Sequence, residues 1–284
     1  MSNENASPDV HELTPDHPLR VDRTGLEGLY LKVNLIFRKS CEELPAELSL
    51  YIDLPPEKRG VHLSRLVKAA LTEVETGCTD LSALLSRIAQ KALNTHSYSE
   101  IAEVVLNSSL PLRGQKVDLN FRVKRRRNGK ESWFMEVKIE GAISCPCAKE
   151  VFRYYEGTDW EKTPTHMQRA EAIVSVESNG ASLSIDDAFD VIEVVESSYS
   201  GKLEVELSRD EEARIIKKII NAPQFAEDLA RKIAWKVMRT ATMTKANNII
   251  VSVRSFESIH PYNVRAEVVI DGKEHRDRSW YEEL

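Results

Sequence analysis

Strict two-residue alternation dominates this chain and limits what it can fold into. In "KVDLNFRVK" Val117, Leu119, Phe121 and Val123 fall on one face, and Asp118, Asn120, Arg122 and Lys124 on the other. "WFMEVKIEGAI" sets Trp133, Met135, Val137 and Ile139 together, "RAEAIVSVES" sets Ala172, Val174 and Val176, and "NIIVSVRSF" sets Ile249, Val251 and Val253. "GLYLKVNLIF" and "AELSLYIDL" read the same way. One apolar and one polar face is the signature of an antiparallel sheet covered on one side.

The cover is written between the strands at helical spacing. Leu63, Leu66, Val67, Ala70, Leu71 and Val74 form one stripe. Leu81, Leu84, Leu85, Ile88 and Ala92 form a second, with "CTD" before it as the N-cap. Further helices are expected over 185–195, 209–220 and 223–242, the last being the longest. Asn128-Gly129 marks a tight turn between two strands. The order strand, strand, helix, helix, strand, strand, repeated after "RRRNGKES", predicts an α+β fold of two similar modules. Residues 1–19 read as a flexible polar tail, 20–130 as the first module and 131–284 as the second.

Composition removes several function classes. No apolar run reaches the roughly 20 residues of a membrane helix, and the polar start "MSNENASPDVHELTPDHPLR" shows no secretory signal. A net charge of −6 argues against a general nucleic-acid binder. Four cysteines, Cys41, Cys78, Cys145 and Cys147, are few for a chain of 284 residues. They predict free thiols in a reducing cytoplasm.

Two of those cysteines stand in "SCPCAKE", residues 144–150, straight after a strand. They read either as small buried hydrophobes or, with His166 of "THMQRAE", as an open site for Zn²⁺ or Fe²⁺. In the second case the other cysteine is free to act as nucleophile or acid/base. The acids of "SRDEEAR" and "QFAEDLA" suit helix N-termini as well as a site. Glu257 and His260 of "SFESIHPYN" sit at a strand–turn junction, where sheet folds commonly place function. "RGVHLSR" puts His62, Ser64 and Arg65 at a helix start, a pattern that ordinary capping or phosphate binding explains equally.

Taken together, "GVHLSR", "SCPCAKE", "THMQRAE", "QFAED" and "SFESIH", in this order from about Leu19 to about Ile270, resemble the type IB GTP cyclohydrolases and their archaeal relatives of methanopterin synthesis. The resemblance implies the tunnelling fold (T-fold), with two fused modules per chain and self-association into a homodimer or homotetramer with active sites at subunit interfaces. It implies a divalent metal, Fe²⁺ before Zn²⁺ or Mn²⁺, on Cys145, His166 and Glu212, with Glu211 as the alternative third ligand. Cys147, His260 and Glu257 match the catalytic positions. Glu227 matches the guanine anchor, and His62, Ser64, Arg65 and Arg169 are candidates for the triphosphate. The implied reaction adds water at C8 of GTP and releases formate. The implied product is 7,8-dihydroneopterin 2′,3′-cyclic phosphate, with the triphosphate as alternative. A nitrile reductase of the same fold and a non-catalytic purine-binding protein are the competing readings. One departure is the lengthened "FRYYEGTDWEKTP" between Cys147 and His166, which looks archaeal.

Overall fold

The computed structural model describes residues 9–112 and 114–272. The chain divides into two compact units, Met1–Ser108 with Phe121–Trp133, and Ser109–Asn120 with Phe134–Leu284. Three consecutive strands lend residues to both units, so no single point in the sequence separates them.

In the first unit, β1 (Val21–Phe37) pairs antiparallel with β2 (Ser40–Leu54). Arg38 and Lys39 turn between them, both with positive φ. Helices α1 (Leu63–Val74) and α2 (Leu81–Thr95) follow, then β3 (Ile101–Leu112), which pairs with β2 from Ala46↔Ser108 to Ile52↔Ala102. The expected cap is present: the Asp80 carboxylate accepts from Ala83 N at 2.9 Å. α2 buries its whole expected stripe, whereas α1 buries Leu66, Ala69 and Ala70 and leaves Leu63 and Leu71 exposed. Glu73 of α1 joins the helices by accepting from Arg87 and Lys91 of α2.

β4 (Gln115–Arg126) and β5 (Glu131–Ser144) flank the Asn128-Gly129 turn, in which Gly129 has φ 85°. The basic run before that turn is structural. Arg125 reaches Glu131, Ser86 and Gln90, and Arg127 donates to the carbonyls of Leu93, His96 and Ser99.

Two expectations for this unit change. Cys41 and Cys78 are not free thiols but a disulfide across a sequence separation of 37. The loop between α1 and α2 is brought to the β1–β2 hairpin by backbone bonds, Thr79 N to Asn34 O and Ile36 N to Thr79 O. Counting cysteines could not show that neighbourhood. Nor do residues 9–19 continue as a free tail. Val10–Glu12 form a 3-10 turn, and His11 O accepts from the amides of Arg59 and Gly60. Residues 1–8 of the expected tail and 273–284 of the expected second module lie outside the described residues.

In the second unit β5 leads into α3 (Pro146–Glu156), a 3-10 turn at Trp160–Lys162, and β6 (Met167–Asn179). Then come α4 (Ile185–Glu196), α5 (Arg209–Asn221), α6 (Ala226–Val237), the short α7 (Ala241–Lys245), β7 (Asn248–Ser255) and β8 (Val264–Asp271). β6 pairs antiparallel with β7, and β7 with β8. α6 packs on β7 and β8 and buries Leu229, Ile233 and Val237 fully, each contributing about 1.5–3 kcal/mol. Tyr199 staples β5 to β6: its hydroxyl donates to Ile139 O at 2.9 Å and Ala170 O at 3.1 Å.

The helix expected over 223–242 is two. Pro223 lies outside α6, which begins after Phe225, whose amide donates to the Asp228 carboxylate. α6 stops at Val237, whose carbonyl accepts from Thr240 Oγ1 at 2.8 Å, so α2 is longer. α3 was not anticipated, because its outward face is apolar and aromatic and it buries only Lys149. Strands β3 and β8 were not singled out either. The buried face of β3 ends in Ser108, and β8 is half-exposed along most of its length.

Candidate active site

One end of the second unit's sheet gathers most of the chemistry. β5 ends at Ser144, and Cys145 is the N-cap of α3 with Pro146 in the first turn, where a missing amide hydrogen does no harm. The Cys145 sulfur accepts from Ala148 N at 3.4 Å, so a helix N-terminus faces it, a setting that favours negative charge. Cys147 lies one residue into the helix and is exposed.

His166 immediately precedes β6. Its carbonyl accepts from Cys145 N at 3.1 Å, and Thr165 Oγ1 donates to Cys145 O at 2.6 Å. Cys145 and His166 are thereby tied backbone to backbone across the mouth of "FRYYEGTDWEKTP". His166 Nδ1 lies 3.0 Å from Ser258 Oγ. That contact orients the ring and leaves Nε2 for another partner.

The segment after β7 closes the other side. Phe256 N donates to Arg169 O, and the Glu257 carboxylate accepts from Ser255 Oγ at 2.8 Å and Gln168 Nε2 at 3.1 Å. His260 is exposed and stacks on Tyr262, with centroids 5.0 Å apart and planes 4° from parallel.

The α5–α6 junction is tethered to the same end. Ser144 Oγ donates to Ile219 O at 2.6 Å, and Gln224 N donates to Ser144 O at 3.1 Å. Lys149, fully buried, donates to Ile220 O at 2.7 Å and Asn221 Oδ1 at 2.9 Å, with its ammonium 4.3 Å from the centre of the Trp160 ring. Burial lowers its pKa. These bonds set the first turn of α6, with Glu227, beside the Cys-Pro-Cys helix. Asp228 caps that turn and pairs with Arg231, and its neighbour Glu227 is exposed.

At α5, Glu211 is spent on its own helix. Its carboxylate accepts from the amide and hydroxyl of Ser208 in a capping box, which also lowers its pKa. Glu212, the other candidate ligand, takes no part in that capping box. The structure does not bring it into the Cys145–His166 pair: among the described residues the one group of three ligand-type side chains within 4.8 Å lies elsewhere.

The remaining candidates are not in this cluster. Arg169 points to the polar face of the sheet, 3.5 Å from Glu140, where both border a cleft of about 360 Å³ with Lys116 and Glu204. None of Cys145, Cys147, His166, Glu212, Glu227, Glu257 and His260 lines that cleft. His62, Ser64 and Arg65 belong to the first unit, at the start of α1.

Sequence reasoning passed over Lys149, Gln168, Ser144 and Ser258. All four sit inside motifs already quoted, and a lysine after two cysteines was itself a signal. The serines carry no pattern that distinguishes them.

The comparisons with known proteins give the family and the fold. The family description "Type I GTP cyclohydrolase folE2" matches residues 7–266. The chain belongs to that family of enzymes. It is 31% identical to GTP cyclohydrolase MptA of Aeropyrum pernix over 268 residues, covering 91% of this chain and 94% of the relative. With GTP cyclohydrolase FolE2 of Desulfosudis oleivorans it shares 25% identity, covering 87% and 92%. Among solved structures, uricase from Arthrobacter globiformis superposes with a TM-score of 0.53 at 8% identity, covering 92% of this chain and 97% of that one. That likeness speaks to the fold alone, the α+β tunnelling fold.

Proposed function

We propose that this chain is a metal-dependent GTP cyclohydrolase that opens the imidazole ring of GTP at C8. The observation that carries the reading is the Cys145–His166 pair, joined by a backbone hydrogen bond, in a chain belonging to the type I GTP cyclohydrolase folE2 family. Thiolate and imidazole together suit Fe²⁺ or Zn²⁺, and Mn²⁺ less well. Cys145 and His166 would hold the ion, with Glu212 as the third ligand once α5 approaches. When bound, the metal supplies hydroxide near neutral pH by lowering the pKa of water.

The protein's own groups do the rest. Glu227 accepts from N1–H and the exocyclic amine of guanine and so orients C8. Cys147 and His260 carry protons as water adds at C8, the ring opens and C8 departs as formate. Glu257, held by Ser255 and Gln168, keeps the His260 segment in place. Ser64 and Arg65 are available for the triphosphate. His62 and Arg169 are paired with Asp9 and Glu140 and must exchange partners to contribute.

The remodelled ribose then closes to a 7,8-dihydropterin. The favoured product is the 2′,3′-cyclic phosphate, formed with pyrophosphate as leaving group; its support is the similarity to archaeal MptA proteins. The triphosphate is the alternative. GTP as substrate makes the cytoplasm the place of action. Self-association into a homodimer or homotetramer is part of the reading, supported by the exposed Val151, Phe152, Tyr154 and Tyr155 on α3.

The test is anaerobic incubation with GTP and Fe²⁺, Zn²⁺ or Mn²⁺ separately, followed by formate assay and mass spectrometry. A dihydropterin with one formate per turnover is expected, absent in Cys145→Ala and His166→Ala. Full activity in either variant would overturn the metal assignment, and unchanged GTP with every metal would overturn the reaction.

A further inference from the structure

A second cluster of ligand-type side chains lies in the first unit. Asp9, His11 and His62 bring their ligand atoms within 4.8 Å of one another. Asp9 Oδ1 is 3.0 Å from His11 Nδ1, and Asp9 Oδ2 is 2.8 Å from His62 Nε2. The two imidazoles lie face to face at a tilt, with centroids 4.6 Å apart. One carboxylate therefore stands between two rings, a two-histidine, one-carboxylate set with room for solvent.

The cluster is built rather than accidental. The 3-10 turn Val10–Glu12 carries His11, and Asp9, its N-cap, holds the turn by accepting from His11 N. His11 O accepts from the amides of Arg59 and Gly60, which fixes the turn against the segment leading into α1. A Cβ at Gly60 would lie 3.0 Å from the His11 ring, so the glycine leaves the space that the imidazole uses. At the far end of the turn Glu12 pairs with Lys58. His62 is the N-cap of α1 but makes no capping bond, so its side chain serves the cluster and not the helix.

We propose that Asp9, His11 and His62 form a site for a first-row divalent cation that clips the N-terminal segment to the start of α1. Binding takes both imidazoles in their neutral form and releases whatever protons Asp9 now shares with them. With nitrogen and oxygen donors and no sulfur, the site takes Zn²⁺, Co²⁺ or Ni²⁺ in preference to softer ions. His62 Nδ1 is buried without a hydrogen-bond partner. Metal-binding histidines usually have such a partner, and lacking one weakens the site. It therefore fills after any thiolate site in the same chain.

Cobalt separates the two sites. Full-length protein is titrated with Co²⁺ under anaerobic conditions, and bound metal is counted by equilibrium dialysis. Thiolate-to-cobalt charge transfer reports Cys145, and the histidine–carboxylate site is silent in that band. The Cys145→Ala/His166→Ala variant is expected to bind one Co²⁺ without charge transfer. Adding His11→Ala to it should weaken that binding at least about tenfold, with the circular dichroism spectrum unchanged. Gly60→Ala, which leaves all three ligands in place, should weaken it too by crowding His11. No cobalt bound by Cys145→Ala/His166→Ala, or equal binding with and without His11, would overturn the site. Absence of charge transfer in the unmodified protein would instead count against the Cys145 metal and leave this proposal standing.

Discussion

Lys149 shows how much one side chain can organise. It is the only buried residue of α3, and its ammonium ends on the Ile220 carbonyl and the Asn221 side-chain oxygen at the C-terminal end of α5. Replacing it by Met keeps the length and removes the donors, leaving the Ile220 carbonyl without its partner. Lys149→Met is expected to lower stability by about 1–3 kcal/mol, read by chemical denaturation. Because the same bond seats the Cys-Pro-Cys helix against α5, turnover should fall further than the loss of folded protein explains. At this scale the sequence was most informative where types are rare: Cys145, Cys147 and His166 stood out by chemistry alone. The pairing of Cys41 with Cys78 did not, because it depends on a loop brought back to a hairpin by backbone bonds that no side-chain pattern encodes.

Among the elements, strands were easier to read than helix ends. Alternation located β4, β5, β6 and β7, since a half-buried strand must repeat every two residues. The break between α6 and α7 was hidden because Thr240 ends the helix by donating both its amide and its hydroxyl to Val237 O. Two predictions belong here. Gly141 of β5 lies under the Tyr199 ring, and a Cβ there would sit 2.2 Å from its Cγ. Tyr199 is pinned by two hydrogen bonds and cannot retreat, so Gly141→Ala should cost about 3 kcal/mol through overpacking. A shifted denaturant midpoint in Gly141→Ala would register it. The α1–α2 pair should respond to acid. Burial alone would raise the Glu73 carboxyl, but Lys91 and Arg87 outweigh it and hold its pKa below the ordinary 4.5. A depressed carboxyl stabilises the fold fully above its unfolded value, and the benefit is lost as pH falls through the folded one. The melting temperature of Glu73→Gln should therefore fall less steeply than that of the unmodified chain as pH drops below about 4.5.

For the whole molecule, the element order strand, strand, helix, helix, strand, strand was enough to suggest an α+β sheet protein. What it could not convey is how the compact units divide, since β3, β4 and β5 each contribute to both. Thiol counting tests the cysteine assignment across the entire chain. The native protein should titrate two thiols, Cys145 and Cys147, and the reduced, unfolded protein four. Reduction should also lower stability, because opening the Cys41–Cys78 loop returns about 3–4 kcal/mol of chain entropy to the unfolded state.

The disulfide imposes a condition on anyone handling this protein. The ferrous ion proposed for Cys145 would demand a reducing medium, while Cys41–Cys78 demands that the medium not reduce everything. On that proposal, active and fully stable protein would exist only within a window of potential between those two demands. Strong dithiols would undo the staple in the first unit, and air used to keep the staple would oxidise a ferrous ion of the proposed kind. A mild one-electron reductant that spares disulfides, such as ascorbate, satisfies both.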